Sequence, residues 1–259
     1  MKRFALLCMT AWLSGCAVQP GDTSGGSVAA QTTPDSEARQ RARTFTELAA
    51  AYYGRAQYKI ALEELRKAIT VDSRFSPAYN IYGLIYMELA EDKLAEENFR
   101  RAIDLDRADS EARNNYGWFL CTRGRYDEGL EQFAAALRNP LYPQPEVAIA
   151  NAGQCAEMKG DLALAEANLV KSLKLQPDNP GTLLRLAGLR LRQGRLPEAR
   201  RLLARHDELV PPSAASLWLG VRVERKLGDR AQEAAYGLQL RKRFPDSNEA
   251  RLLLAGQYE

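Results

Sequence analysis

Four cysteines and a single histidine are present, and the thiols are the residues whose placement is most informative. A thiol can be acylated, can pair in a disulfide, or can hold a metal together with other Cys and His ligands. Cys8, Cys16, Cys121, Cys155 and His206 form no Cys/His cluster, which weighs against a metal site and against a histidine-based triad. His206 reads as a helix-packing residue. Acidic pairs such as Glu63-Glu64 and Glu96-Glu97 lie along helix faces, the ordinary pattern of solvated surface rather than of groups converging on a pocket. No catalytic residue, cofactor or small-molecule substrate is expected. The formal net charge is +3, and Lys2 and Arg3 supply two of those charges from a segment expected to be removed. A mature chain near neutrality has no electrostatic footprint for nucleic acid.

Two places in the chain could use a thiol. The first is Cys16. Lys2-Arg3, the apolar run from Phe4 to Leu13 and then Leu13-Ser14-Gly15-Cys16 have the layout of a signal peptide. The run is too short to span a bilayer permanently. Small residues before a cysteine at the end of such a run resemble the bacterial lipobox, whose cysteine becomes the lipidated first residue of the mature protein. An ordinary cleaved signal that happens to contain Cys16 is the alternative. Residues 1–15 are thus expected to be a lipoprotein signal peptide. Residues 16–35, rich in Gly, Ser, Thr and Pro and without helical period, are expected to be a lipidated flexible tether. Ala17 rather than Asp after the cysteine resembles an outer-membrane address, and several acyl chains on one residue make a stable anchor.

The remainder, residues 36–259, must position the other two thiols. Between Ser76 and Asp109 the residues Tyr79, Tyr82-Gly83, Tyr86, Ala95, Phe99 and Ala102 fall at the offsets of the tetratricopeptide repeat, two antiparallel helices in 34 residues. Gly83 and Ala95 are small where the helices cross, and the larger residues fill the space around them at helical spacing. Such a hairpin cannot bury its apolar faces alone. Matching units start near Ala42, Ser110, Glu146 and Pro180. The third ends in a longer loop, Asn139 to Pro145, whose three prolines fix a rigid connection. The sixth, from Ala214, is degraded: after Trp218-Leu219-Gly220 its helices lose their common register and Glu233 takes the place of the small residue. Asn248 to Tyr258 should form a last helix covering the exposed end. The expected fold is all-α: a right-handed α-solenoid of about six repeats with a C-terminal capping helix.

In such a solenoid the inward positions of the first helices line a groove. They include Thr46, Ala50 and Tyr53, then Asn80, Leu84 and Met87, then Asn114, Trp118 and Cys121. Farther along come Gln154, Glu157, Leu184, Leu191, Trp218, Arg222 and Arg225. Apolar anchors flanked by amides suit a peptide, so Tyr53, Asn80, Leu84, Met87, Asn114 and Trp118 are the candidate peptide-binding residues. The competing reading has Trp118 and Met87 packing against a neighbouring helix or a longer N-terminal segment. With Cys8 removed and Cys16 acylated, Cys121 and Cys155 are the thiols that remain. They lie on first helices of adjacent repeats and are a disulfide candidate in an oxidising periplasm, with two buried free thiols as the alternative.

Asn114 to Cys121 (NNYGWFLC), the Pro140-Leu141-Tyr142-Pro143 loop, Asn151-Ala152-Gly153 with Cys155, and Ala235 to Leu240 before Phe244-Pro245 resemble the type IV pilus biogenesis and stability lipoproteins, from the lipobox to the C-terminus. The resemblance implies a pilotin: an outer-membrane lipoprotein, anchored on the periplasmic face, that binds the secretin subunit of the pilus machine and promotes its localisation and multimerisation. A lipoprotein scaffold recruiting cell-wall enzymes or other envelope complexes is the alternative that periodicity does not separate from it.

Overall fold

The computed structural model describes residues 34–258. The expected signal peptide, Cys16 and the tether up to residue 33 lie outside the described residues. All regular structure described is helical, in antiparallel pairs: α1 (Pro34–Tyr53) with α2 (Tyr58–Val71), α3 (Ser76–Glu88) with α4 (Asp92–Leu105), and α5 (Ser110–Thr122) with α6 (Tyr126–Ala136). Then come α7 (Pro145–Lys159) with α8 (Leu162–Leu175), α9 (Pro180–Arg192) with α10 (Leu196–Leu209), and α11 (Ala214–Leu227) with α12 (Arg230–Arg243). A short α13 (Asn248–Leu254) follows. These are six repeats and a terminal helix.

Local signals set the helix ends. Asp109, Asp161, Asn179, Asp229 and Ser247 each accept a backbone N–H of the first turn with their side chains, and Ser213 forms a reciprocal capping box with Ser216. The second helices bury one narrow stripe at i, i+4 and i+7: Ala61, Leu65 and Ala68 on α2, Ala95, Phe99 and Ala102 on α4, Gly129, Phe133 and Ala136 on α6. His206 occupies the last place of that stripe on α10, buried, with Nδ1 2.9 Å from Asp207 Oδ1.

Close helix crossing explains the first-helix glycines. A Cβ on Gly83 would lie 2.6 Å from the Phe99 ring, and one on Gly117 would lie 3.0 Å from Phe133. Stacking then repeats the plan. Each second helix packs on the first helix of the next pair, while α1 touches α3, α3 touches α5, α5 touches α7 and α9 touches α11. The first helices therefore form one layer, and it is this layer that carries the candidate groove.

The turn inside each pair needs a residue in the left-handed region. Gly124, Gly160, Gly194 and Gly228 supply it in repeats three to six, but repeats one and two use Ala56 (φ 56°) and Ala90 (φ 57°).

Repeat six departs from the others by one residue. The close-crossing residue and the second-helix N-cap are eight apart in Gly83 and Glu91, Gly117 and Arg125, and Gly153 and Asp161, but nine apart in Gly220 and Asp229. The whole of α12 is thus one residue out of phase. Tyr236 covers Gly220, where a Cβ would stand 2.8 Å from its ring, and Gly237 falls where Phe99 and Phe133 stand in their repeats. Glu233, in the small-residue place, is held by Arg225 (2.8 Å) and Arg230 (3.1 Å). Leu253 of α13 approaches Gly237, and α13 closes the end over Leu217, Val221 and Leu240.

Candidate functional site

The first-helix layer of repeats one to three gathers the proposed groove residues on three neighbouring helices. Asn80, Leu84 and Met87 share one stripe of α3, Asn114 and Trp118 one stripe of α5, and Tyr53 ends α1. Leu84 and Met87 are partly exposed and rest on a core of Phe99, Tyr116, Phe119 and Leu120. Trp118, also partly exposed, rests on the next cluster, with Cys121, Phe133 and Cys155. Tyr53 is half-buried with its ring 6.1 Å from that of Tyr58. Its hydroxyl pKa is pushed up, first by burial and then by the Glu88 carboxylate beside it, so it stays a neutral phenol.

The two asparagines behave differently from the apolar residues. Asn80 and Asn114 are buried, 3% and 6% exposed, and their amides are already engaged. Asn115 Nδ2 donates to Asn80 Oδ1 (3.1 Å), Asn114 Nδ2 to Asn115 Oδ1 (3.3 Å), and Asn151 Nδ2 to Asn114 Oδ1 (3.0 Å). This amide ladder crosses α3, α5 and α7 and fixes their register, since a buried amide left unpaired is costly. The surface it leaves for a ligand is apolar: Leu84, Met87 and Trp118. Thr46 and Leu191, other inward positions, are buried as well, and Thr46 Oγ1 donates to Ala42 O.

Beside Trp118 the Cys121 and Cys155 sulfurs are bonded, joining α5 to α7 with Cα atoms 5.5 Å apart. Gly129 answers to this bond. At the corresponding place α2, α4, α8 and α10 carry Ala61, Ala95, Ala165 and Ala199, whereas a Cβ on Gly129 would meet Cys121 Sγ at 2.2 Å. The missing methyl is the space the sulfur occupies.

Between repeats two and three an ionic cluster ties α4 to α5 and to the N-cap of α6. Glu96 accepts from Tyr116 Oη (2.8 Å) and from Arg125 Nη1 at both oxygens (2.9 Å each). Burial works to raise the Glu96 pKa, but the Tyr116 and Arg125 hydrogen bonds outweigh it and hold the carboxyl below its ordinary range. In the third loop Tyr142 is buried and pushed up to about 12, chiefly by burial, while Leu141 next to it is 85% exposed.

At the far end, Trp218, Arg222 and Arg225 do not form open groove. Trp218 is buried and Tyr258 lies over the three of them. Sequence reasoning left out Asn115 and Asn151 as ladder members, Gly129 as the partner of the disulfide, and Tyr258. Gly129 in a column of alanines was the readable signal among these. Among the described residues no three His, Cys, Asp or Glu side chains are placed to hold a metal ion, and no helix is long and apolar enough to cross a membrane.

Tetratricopeptide-repeat family models match residues 76–109, 93–144 and 157–218. The type IV pilus assembly protein PilF of Pseudomonas aeruginosa is 30% identical over 202 residues, which cover 78% of this chain and 67% of that protein. Its solved structure superposes with a TM-score of 0.77 at 28% identity, covering 85% of this chain and all of the other. PilW, described as a widely conserved type IV pilus biogenesis factor, superposes with a TM-score of 0.76 at 33% identity, covering 82% and 98%. With that identity and coverage, the chain belongs to the PilF/PilW family of type IV pilus assembly proteins.

Proposed function

We propose that this protein is a non-catalytic pilotin of the type IV pilus, held at the periplasmic face of the outer membrane by a lipid on Cys16 and binding the secretin subunit through the first helices of repeats one to three. Membership in a pilus assembly family carries the reading. The groove supports it: Leu84, Met87 and Trp118 give an apolar, partly exposed strip on a frame whose polar groups are satisfied internally, which suits side-chain anchors of a bound segment. The Cys121–Cys155 bridge belongs to the same reading, since an oxidising periplasm forms and keeps such bonds.

Anchoring and holding are separate physical jobs, so they separate in mutants. A Cys16→Ser form should still capture secretin but leave it away from the outer membrane, because acyl burial supplies the address. Deleting the gene should leave secretin monomers with few outer-membrane multimers and no surface pili. Normal multimers in the deletion strain would reject the pilotin reading in favour of a scaffold for cell-wall enzymes. Trp118→Ala should weaken secretin capture by roughly tenfold or more, as loss of a central anchor does, with helical content retained.

A further inference from the structure

Trp218, Arg222 and Arg225 lie at i, i+4 and i+7 on α11 and converge on a single residue from beyond α13. The Tyr258 ring stacks on Trp218 with centroids 5.7 Å apart and planes at 24°. The Arg225 guanidinium carbon sits 3.8 Å above the same ring, oriented from its other side by Glu233. Arg222 Nε donates to the Tyr258 backbone carbonyl at 2.9 Å. An aromatic face, a cation over it and a donor to the main chain are together a complete recognition set for an aromatic residue in a non-helical segment.

The segment that delivers Tyr258 is built as a short arm. Helix α13 ends at Leu254, and Gly256 (φ 68°) turns the chain in the left-handed region. Gln257 N donates to Leu252 O at 3.0 Å, which aims the next residue back onto α11. Tyr258 is one of several residues over the last core cluster: Tyr236, Phe244, Leu252 and Leu253 pack against Leu217, Val221, Leu240 and Ala250 as well, and Tyr258 keeps part of its own surface in solvent.

We propose that Trp218, Arg222 and Arg225 form a cradle for a tyrosine or phenylalanine in an extended segment of a protein partner, and that Tyr258 is an internal occupant which such a segment displaces. The cradle reads one ring and one carbonyl, and both are features that the occupant shares with any such segment. This goes beyond the pilotin reading and does not depend on it.

The test uses the full chain in detergent and a synthetic peptide of residues 252–258, labelled at its N-terminus and followed by fluorescence anisotropy. Opening the cradle by Tyr258→Ala should let the peptide bind roughly tenfold tighter than it binds the parent, because the parent's site is mostly occupied in cis. Tyr258→Phe keeps ring and carbonyl and should behave as the parent does. Replacing the tyrosine of the peptide by alanine, or adding Arg222→Gln to the Tyr258→Ala chain, should abolish the gain. Equal binding to parent and Tyr258→Ala, or no binding to a Tyr258→Ala chain that melts as the parent does, overturns the proposal. A Tyr258→Ala chain that loses its cooperative thermal transition would also overturn it, since the tyrosine would then be a structural cap.

Discussion

The junction of repeats three and four and the end of the solenoid at repeat six hold the same kind of helix pair by opposite means. At the junction a covalent bond and an amide ladder both bridge neighbouring units, an ionic cluster ties repeats two and three just before it, and the regular spacing of eight residues from crossing point to N-cap is kept. At the end the spacing is nine, Tyr236 slides over Gly220 in place of the regular residue, and a ring stack closes the surface. Because a repeat protein's stability is close to a sum of unit and interface terms, the comparison locates where the molecule is held most strongly. Its middle is fastened from inside and its end is covered from outside.

The largest expected effect breaks the middle. Removing the bridge by Cys121→Ala with Cys155→Ala takes a link between residues 34 apart out of the unfolded chain's constraints. The loop-entropy argument assigns it about 3 to 4 kcal/mol, to be read as a lower denaturant midpoint. An unchanged midpoint would mean that the ladder and the packing of α5 on α7 suffice without it.

Glycine substitutions sharpen the contrast. Gly83→Ala should cost about 2 to 3 kcal/mol, since the Cβ would press on the fully buried Phe99 ring, which has nowhere to move. Gly220→Ala should cost less, about 1 kcal/mol, because Tyr236 is only partly buried and its ring can shift, at the expense of its hydroxyl's hydrogen bond to Asp207. Equal losses by thermal melting would show that the last repeat is packed as tightly as the second.

Acid should loosen the regular region next. The Glu96 carboxyl has a folded pKa below its ordinary value, so its contribution is present above the ordinary carboxylate range and is lost as pH falls through the depressed value. With the group partly exposed, the loss should be about 1 kcal/mol, and it should vanish in Glu96→Gln. Denaturant midpoints measured against pH for both proteins would decide it.

The smallest effect is a gain. Ala90 holds a left-handed turn that glycines make in repeats three to six, and Ala90→Gly should stabilise by about 0.5 kcal/mol, strain relief exceeding the added chain entropy. A loss instead would mean that the turn in repeat two is not strained.

The repeat plan could be read from sequence because it is written in size. Small residues at Gly83, Ala95 and Ala102, with rings between them, leave one way for two helices to cross, and the structure follows that pattern through five units. The loss of register in the sixth was legible too, since Glu233 stands where a small residue belongs. Which polar groups face a ligand was not legible. Asn80 and Asn114 sit at inward positions by period, yet whether an amide points to a partner or to another amide depends on where Asn115 and Asn151 come to lie across helices, and spacing within one repeat carries no information about that. Tyr258 was hidden for a similar reason: its place is set by a turn at Gly256, after the helical period has ended.

The one-residue insertion in repeat six has a consequence for assembly. A solenoid of identical units exposes at its end the same surface that its internal junctions bury, and a second molecule could dock there head to tail and begin an open filament. With α12 out of phase and α13 packed over Leu217, Val221 and Leu240, the apolar face that the sixth pair would offer to a further repeat is used up within the chain.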